Sequence, residues 1–320
     1  MQVIEREIEY GETLDELLKD NVCFFDIETT GLNRRKNLIY LVGILYYDEG
    51  SNRLKLLQIF AESLQEEPQL LNKAYKLLSS FDKIINYNGN AFDIPFFNQR
   101  LKVNGIESSI PREKSLDIYA YLRANRYVLD LDNLRLKTIE EYLGIERKDI
   151  YTGRDCIEFY KRYIETGQAD LKEKILQHNY DDLYYLPRVM EILTIVRDKK
   201  SFLVKEKFKF QINEIKKEGD FLVFQGLVDD NMGKGFFYEE NYQLTIDQGV
   251  FQVELEVKEG LISPDETCLF INSYDFDMED IKLKHKYKIP DHIVPLSIEG
   301  KYLIDNINQV LSSLIENIIT

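Results

Sequence analysis

The stretch Phe24-Phe25-Asp26-Ile27-Glu28-Thr29-Thr30-Gly31-Leu32 constrains this chain more than any other. Val22, Phe24 and Phe25 make its first half an apolar strand. Side chains alternate faces along a strand, so Asp26 and Glu28 point the same way. Two carboxylates on one face, beside large apolar groups, are costly unless a cation neutralises them. Gly31 then frees the backbone for a tight turn. An apolar strand ending in D-x-E-T-x-G therefore reads as part of a metal site whose other ligands come from elsewhere in the chain.

The rest of the sequence has the material for a packed fold. It is 320 residues long and 44% hydrophobic, with no low-complexity tract, which argues against disorder and allows two domains. No apolar run approaches the ~20 residues of a membrane span, and no charged-then-apolar leader opens the chain. The expectation is a soluble cytoplasmic protein with no membrane partner. Cys23, Cys156 and Cys268 are widely spaced and form no CxxC, so reduced structural thiols are expected. The net charge of −15 excludes a protein coated in basic surface. That charge is uneven: residues 1–200 carry 29 Lys+Arg against 34 Asp+Glu, and residues 201–320 carry 12 against 22. All 14 arginines precede residue 200. Arginine is the preferred bidentate phosphate ligand, so nucleic-acid contacts are expected in the first part.

Residues 13–18 have the spacing of a short amphipathic helix. After the opening strand and the basic turn Arg34-Arg35-Lys36, residues 39–47 and 53–60 read as strands joined through a turn at 48–52. Leu70, Leu71, Ala74, Leu77 and Leu78 have helical spacing, and 81–87 is a fourth apolar strand. A helix is expected after Asp93, and Leu116-Asp117-Ile118 is a fifth strand or a helix start. Helices are expected over 138–143, 155–166 and 170–196, the first opened by a Thr138/Glu141 capping box. The pattern indicates an α/β domain with a mixed sheet over residues 1–198. Strand-like runs at 208–215, 221–228, 242–246 and 250–257, then a helix over 303–319, indicate a smaller, mainly β domain over 199–320. Tyr184 and Tyr185 read as core packing, Asp181 as a solvated neighbour, and the acidic residues 275–280 as a solvated turn.

Three segments carry chemistry: Asp26 with Glu28; Asp93, which closes N-x-x-x-F-D from Asn88; and Asp182, four residues after His178 and so on the same helical face. Four carboxylates from separate elements make an expensive core unless divalent cations are bound. These motifs, in this order, resemble the DEDD superfamily of 3′–5′ exonucleases, in particular a bacterial group with a ribonuclease H-like domain and predicted exonuclease activity. The resemblance covers about residues 20–197 and includes the intervening segment 136–144.

It implies a ribonuclease H-like fold with a five-stranded mixed sheet flanked by helices. It implies Asp26, Glu28, Asp93 and Asp182 as ligands of two Mg2+ or Mn2+ ions, ~3.5–4 Å apart, that stabilise the attacking and leaving oxygens. Thr29 and Leu32 match positions that line the terminal nucleotide, and Asn88 a substrate-contacting position. The superfamily uses a histidine five residues before the last aspartate, or a tyrosine four before it. His178 combines the first residue type with the second spacing, and it can accept a proton from water near neutral pH. The expected function is hydrolysis of single-stranded or frayed DNA or RNA from its 3′ end. The alternatives are a catalytically weak or inactive nucleic-acid- or protein-binding module, and an endonuclease of the same fold. The acidic second domain is expected to meet a protein partner or to flank the active site.

Overall fold

The computed structural model describes residues 1–8, 21–147, 149–229, 232–278 and 287–318. The helix expected over 13–18 lies outside them. The chain divides into two units, Met1–Ala124 with Leu131–Ile192, and Asn125–Asp130 with Leu193–Thr320.

In the first unit, β1 (Gln2–Ile8), β2 (Val22–Thr29), β3 (Ile39–Asp48), β4 (Arg53–Phe60), β5 (Lys83–Asn86) and β6 (Ser115–Asp117) form one mixed sheet in the order β1-β4-β3-β2-β5-β6. The expected meander is present, because β2, β3 and β4 pair antiparallel through short connections. β5 then joins β2, and β6 joins β5, both parallel. The sheet has six strands where five were expected. The extra one, β1, runs antiparallel to β4 with Gln2 opposite Phe60. Its mostly exposed side chains give it no apolar signature, as suits an edge strand.

The helices α1 (Glu67–Leu78), α2 (Asp93–Val103), α3 (Ile118–Ala124), α4 (Leu136–Tyr142), α5 (Gly153–Thr166) and α6 (Ala169–Val189) follow in chain order, and then α7 (Glu191–Lys199), most of whose residues belong to the second unit. α1 buries Leu70, Leu71, Ala74 and Leu78, the stripe that its spacing predicts. The core of this unit joins Phe25, Ile27, Val42, Ile59, Phe97 and Tyr160 among others. Each fully buried large apolar side chain contributes about 1.5–3 kcal/mol. Three local expectations are corrected. The capping box is not at Thr138, whose hydroxyl instead donates to Asn133 at 2.7 Å inside α4. It is at Thr152, whose hydroxyl accepts the Asp155 amide while Asp155 accepts the Thr152 amide. The long helix expected over 170–196 is broken at Met190, three residues after Pro187, which removes a backbone donor. At 115–124 both expected alternatives occur in succession, since β6 leads directly into α3.

In the second unit, β7 (Ser201–Val204), β8 (Phe208–Glu218), β9 (Phe221–Val228), β10 (Gly235–Tyr238), β11 (Tyr242–Asp247) and β12 (Val250–Glu256) form an antiparallel sheet in the order β10-β11-β12-β9-β8-β7. β13 (Lys258–Ser263), β14 (Glu266–Asn272), β15 (Ile293–Ile298) and β16 (Lys301–Tyr302) form a second sheet, and α8 (Ile304–Ile318) follows. One core joins Phe210, Phe224 and Phe251 of the first sheet, Val294 and Leu296 of the second, and Ile307 and Leu311 of α8. Tyr127 packs against it, and Asn125 accepts the buried Lys200 ammonium at 2.7 Å. All three cysteines are free and buried. No helix among the described residues is long and apolar enough to cross a membrane.

Candidate metal centre and active site

β2 is flanked on both sides, by β3 and by β5, so its carboxylates sit in the middle of the sheet. Asp26 is opposite Gly43 and Glu28 is opposite Leu41 of β3. An irregularity between Glu28 and Thr29 ends that register, as bulges beside functional sites often do. α6 packs against this sheet and supplies Asp182. Carboxylate oxygens of Asp26, Glu28 and Asp182 lie within 4.8 Å of one another. Gly43 makes this approach possible: a Cβ there would stand 2.3 Å from Leu183 and 2.4 Å from the Asn179 side-chain oxygen. A glycine inside a strand marks such a close approach.

The cluster is oriented by buried side chains. The Asn179 amide donates to Asp26 at 2.7 Å and accepts from Gln58 at 2.9 Å. Gln58 in turn accepts from Arg6 of β1 at 2.6 Å. Asp93, at the start of α2, accepts the Ile27 amide at 3.3 Å. It is buried and flanks the three-carboxylate set without joining a group that tight. The loop before it is built around Asp117, which accepts the amides of Asn88 at 2.9 Å, Asn90 at 3.0 Å and Ala120 at 3.1 Å. Asn88 adopts a left-handed backbone, φ 66°, which asparagine tolerates better than most residues.

His178 is fixed from behind. Its Nδ1 lies 2.6 Å from Oδ2 of Asp149, whose side chain is fully buried. Asp149 also accepts the Tyr151 amide, and its own amide donates to Asp181 at 2.9 Å. Asp181 is therefore buried and structural, not solvated as expected. The other ring nitrogen, Nε2, faces Asp182 at 3.6 Å and Glu28 at 3.7 Å. Arg147 pairs with Asp182 on one side and with Glu140 at 3.1 Å on the other. Lys137 donates to the Tyr151 carbonyl at 2.6 Å.

The electrostatics follow from this crowding. Burial, with the charges of Asp182 and Asp93, holds the Asp26 carboxyl well above the usual range. Burial pushes Glu28 up to about 8, with His178 opposing and Asp182 and Asp93 adding to the rise. Burial also pushes Asp93 up to about 7, although its backbone hydrogen bonds act the other way. Burial works against the charged form of His178, but the Asp149 hydrogen bond and the charges of Asp182 and Glu28 win, raising it to about 9.

The donor set fits a hard divalent cation. Carboxylate oxygens are the ligands that Mg2+ and Mn2+ favour, and positive charge here would relieve the repulsion that keeps protons on the acids. Ligand atoms of Glu28, Cys156 and His178 also converge. Burial and the neighbouring Glu28 push the Cys156 thiol far up, so it stays protonated and is a poor ligand.

Of the expected substrate contacts, Leu32 is 80% exposed. Thr29 is buried, and its hydroxyl donates to the Gly31 carbonyl at 2.9 Å. Tyr184 and Tyr185 are only half-buried and line a cleft with Arg6, Gln177 and Tyr180, so they are not the core residues expected. Sequence reasoning missed Asn179, Asp149, Arg147, Gln58 and Gly43. Gly43 alone left a visible signal, as a glycine inside an apolar strand.

Residues 23–194 match the family described as the RNase H superfamily. The chain is 30% identical over 174 residues to the uncharacterized protein YprB of Bacillus subtilis, a match covering 52% of this chain and 40% of that protein. Among solved structures, the family B DNA polymerase of the archaeon Pyrobaculum calidifontis aligns with 54% of this chain and 24% of its own, at 16% identity and a TM-score of 0.44. The Escherichia coli exonuclease I complex with single-stranded DNA aligns with 64% and 53%, at 13% identity and a TM-score of 0.32. With a family match over more than half its length, this chain belongs to the RNase H superfamily.

Proposed function

We propose that the first unit is a metal-dependent 3′–5′ exonuclease acting on single-stranded or frayed nucleic acid. The convergence of Asp26, Glu28 and Asp182, flanked by Asp93, carries this reading. Asp26, Glu28, Asp93 and Asp182 would hold two Mg2+ or Mn2+ ions, which supply Lewis-acid stabilisation of the attacking and leaving oxygens. The chain's own groups do the rest. Asp149 accepts the Nδ1 proton of His178 and so aims Nε2 at the carboxylate cluster; above about pH 9, or once bound cations offset the neighbouring carboxylates that hold its proton, Nε2 takes a proton from water. Asn179 keeps Asp26 aimed at the same point. The exposed Leu32 packs against the terminal base.

A second reading has one observation in its favour. Arg147 already pairs with Asp182, and internal cations of this kind can hold an acidic cluster together in a non-catalytic binding module. The test is cleavage of a 5′-labelled oligonucleotide with Mn2+, offered with a free or a blocked 3′ end. Stepwise shortening of the free substrate alone, lost in Asp26→Ala, supports the exonuclease. Internal fragments indicate an endonuclease, and no cleavage favours the binding module.

A further inference from the structure

Both walls of a second cleft begin at the carboxylate site. One wall is the loop 31–38, which leaves β2 just after Glu28. The other is α2, which opens with Asp93, together with the turn that follows it. The cleft is about 640 Å³ and is lined by Arg34, Pro95, Gln99, Lys102, Glu107 and Ser108 among others. Arg34 and Lys102 are exposed on its two walls, and Arg35 and Lys36 follow on the same loop. Among the described residues none of these four cations takes part in an ion pair. Glu107 is the one carboxylate among the cleft's lining residues.

The basic turn is also held in place. Asn33 accepts the amides of Arg35 at 3.0 Å and Lys36 at 3.2 Å. Arg100 of α2 donates to the Arg35 carbonyl at 3.3 Å. Arg100 is itself locked by two bonds to the buried Glu67, at 2.8 and 2.6 Å. On the other wall, Asn98 exchanges two hydrogen bonds with the Ile110 backbone, at 2.9 and 2.8 Å, and so fixes the turn after α2. A turn already ordered in this way binds an anion at lower cost than one that must be ordered on binding.

We infer that this cleft carries the phosphodiester backbone of the nucleic-acid strand leading away from the carboxylate site, with Arg34 and Lys102 contacting phosphates from opposite walls. The inference rests on the proposed function for the identity of the strand. Its length is consistent: Asp93 to Lys102 spans about 13 Å along a helix. Successive phosphates of a single strand stand roughly 6–7 Å apart, wider than the ~3.4 Å axial rise per nucleotide of a duplex, so about two fall within that reach.

The test measures binding separately from cleavage. Fluorescence anisotropy would follow a phosphorothioate-linked single-stranded 12-mer in Mn2+, with the full chain and its Arg34→Glu/Lys102→Glu variant, and with Arg34→Gln/Lys102→Gln as a milder control. The charge reversal should weaken binding at least about tenfold and flatten the salt dependence by about 1.4 in log–log slope, the share of two phosphate contacts. The glutamine pair should fall between. Hydrolysis of a dinucleotide, too short to occupy the cleft, should change less than about twofold. Equal 12-mer binding by all three proteins would overturn the cleft assignment and leave the exonuclease reading intact. Variant-sensitive binding without any cleavage would support the cleft and sink the exonuclease reading.

Discussion

At the residue scale, Asp149 decides what His178 can do. The carboxylate holds the ring by Nδ1, leaving Nε2 within 4 Å of both Glu28 and Asp182. If this histidine is the base, His178→Ala should lower kcat by about 10²–10⁴ with little change in KM, the usual worth of general base catalysis. Asp149→Asn removes a negative charge and an acceptor, so the folded pKa of His178 falls from its raised value of about 9. The rising limb of the pH–rate profile should therefore move to lower pH while kcat drops. An unmoved profile would detach His178 from the rate. Asp26, Glu28 and Asp182, which the structure gathers, were all visible in the sequence, because chemistry left them in short motifs. Asp149 was not, because it lies 29 residues from its partner in a segment with no regular element. Asp181 was misread for a related reason: acidity alone does not reveal that a backbone amide will be brought to it.

At the scale of elements, the apolar strands β2 to β5 and the helix α1 were legible from periodicity and flanking turns. β1 was hidden by its polar composition, and the break at Met190 was masked by continuous helical spacing on either side of it. The expected Thr138 cap failed because α4 had already begun at Leu136. Thr152→Ala, at the capping box, should cost about 1 kcal/mol in chemical denaturation. Thr138→Ala should leave helix capping unaffected. The most consequential element contact is between α6 and β3. Gly43→Ala forces a methyl into Leu183 and Asn179, and overpacking of this kind costs about 1–3 kcal/mol. Because Asn179 holds Asp26, the same substitution should also weaken Mn2+ binding. A variant with wild-type stability and wild-type Mn2+ affinity would contradict this placement of α6.

At the scale of the whole molecule, the division of the chain was less legible than the fold of its first unit. Asn125–Asp130 groups with the second unit although it lies far from it in sequence, and only the packing of Tyr127 and the Lys200–Asn125 bond reveal this. The charge distribution does have a global consequence. Glu28 and Asp93 keep their protons to about 8 and about 7 in the folded chain, whereas unfolded carboxyls release theirs near pH 4. The folded state therefore binds more protons between about pH 5 and 8, and stability falls as pH rises through that window. His178, whose folded pKa is raised, adds a loss of the same sign between about pH 6.5 and 9. With chelator present, the melting temperature should drop from pH 6 to pH 8, and saturating Mn2+ should reduce or reverse that drop. A melting temperature indifferent to Mn2+ at pH 8 would mean that the acids find their compensation within the protein. The most direct measurement of the central claim is a calorimetric titration of the full chain with Mn2+ at pH 8, beside its Asp26→Asn and Asp182→Asn variants. Two ions bound by the wild type, with proton release and with loss of binding in both variants, is the predicted result. A wild type that binds no Mn2+, or variants that bind as it does, would contradict the assignment of this cluster as a metal centre.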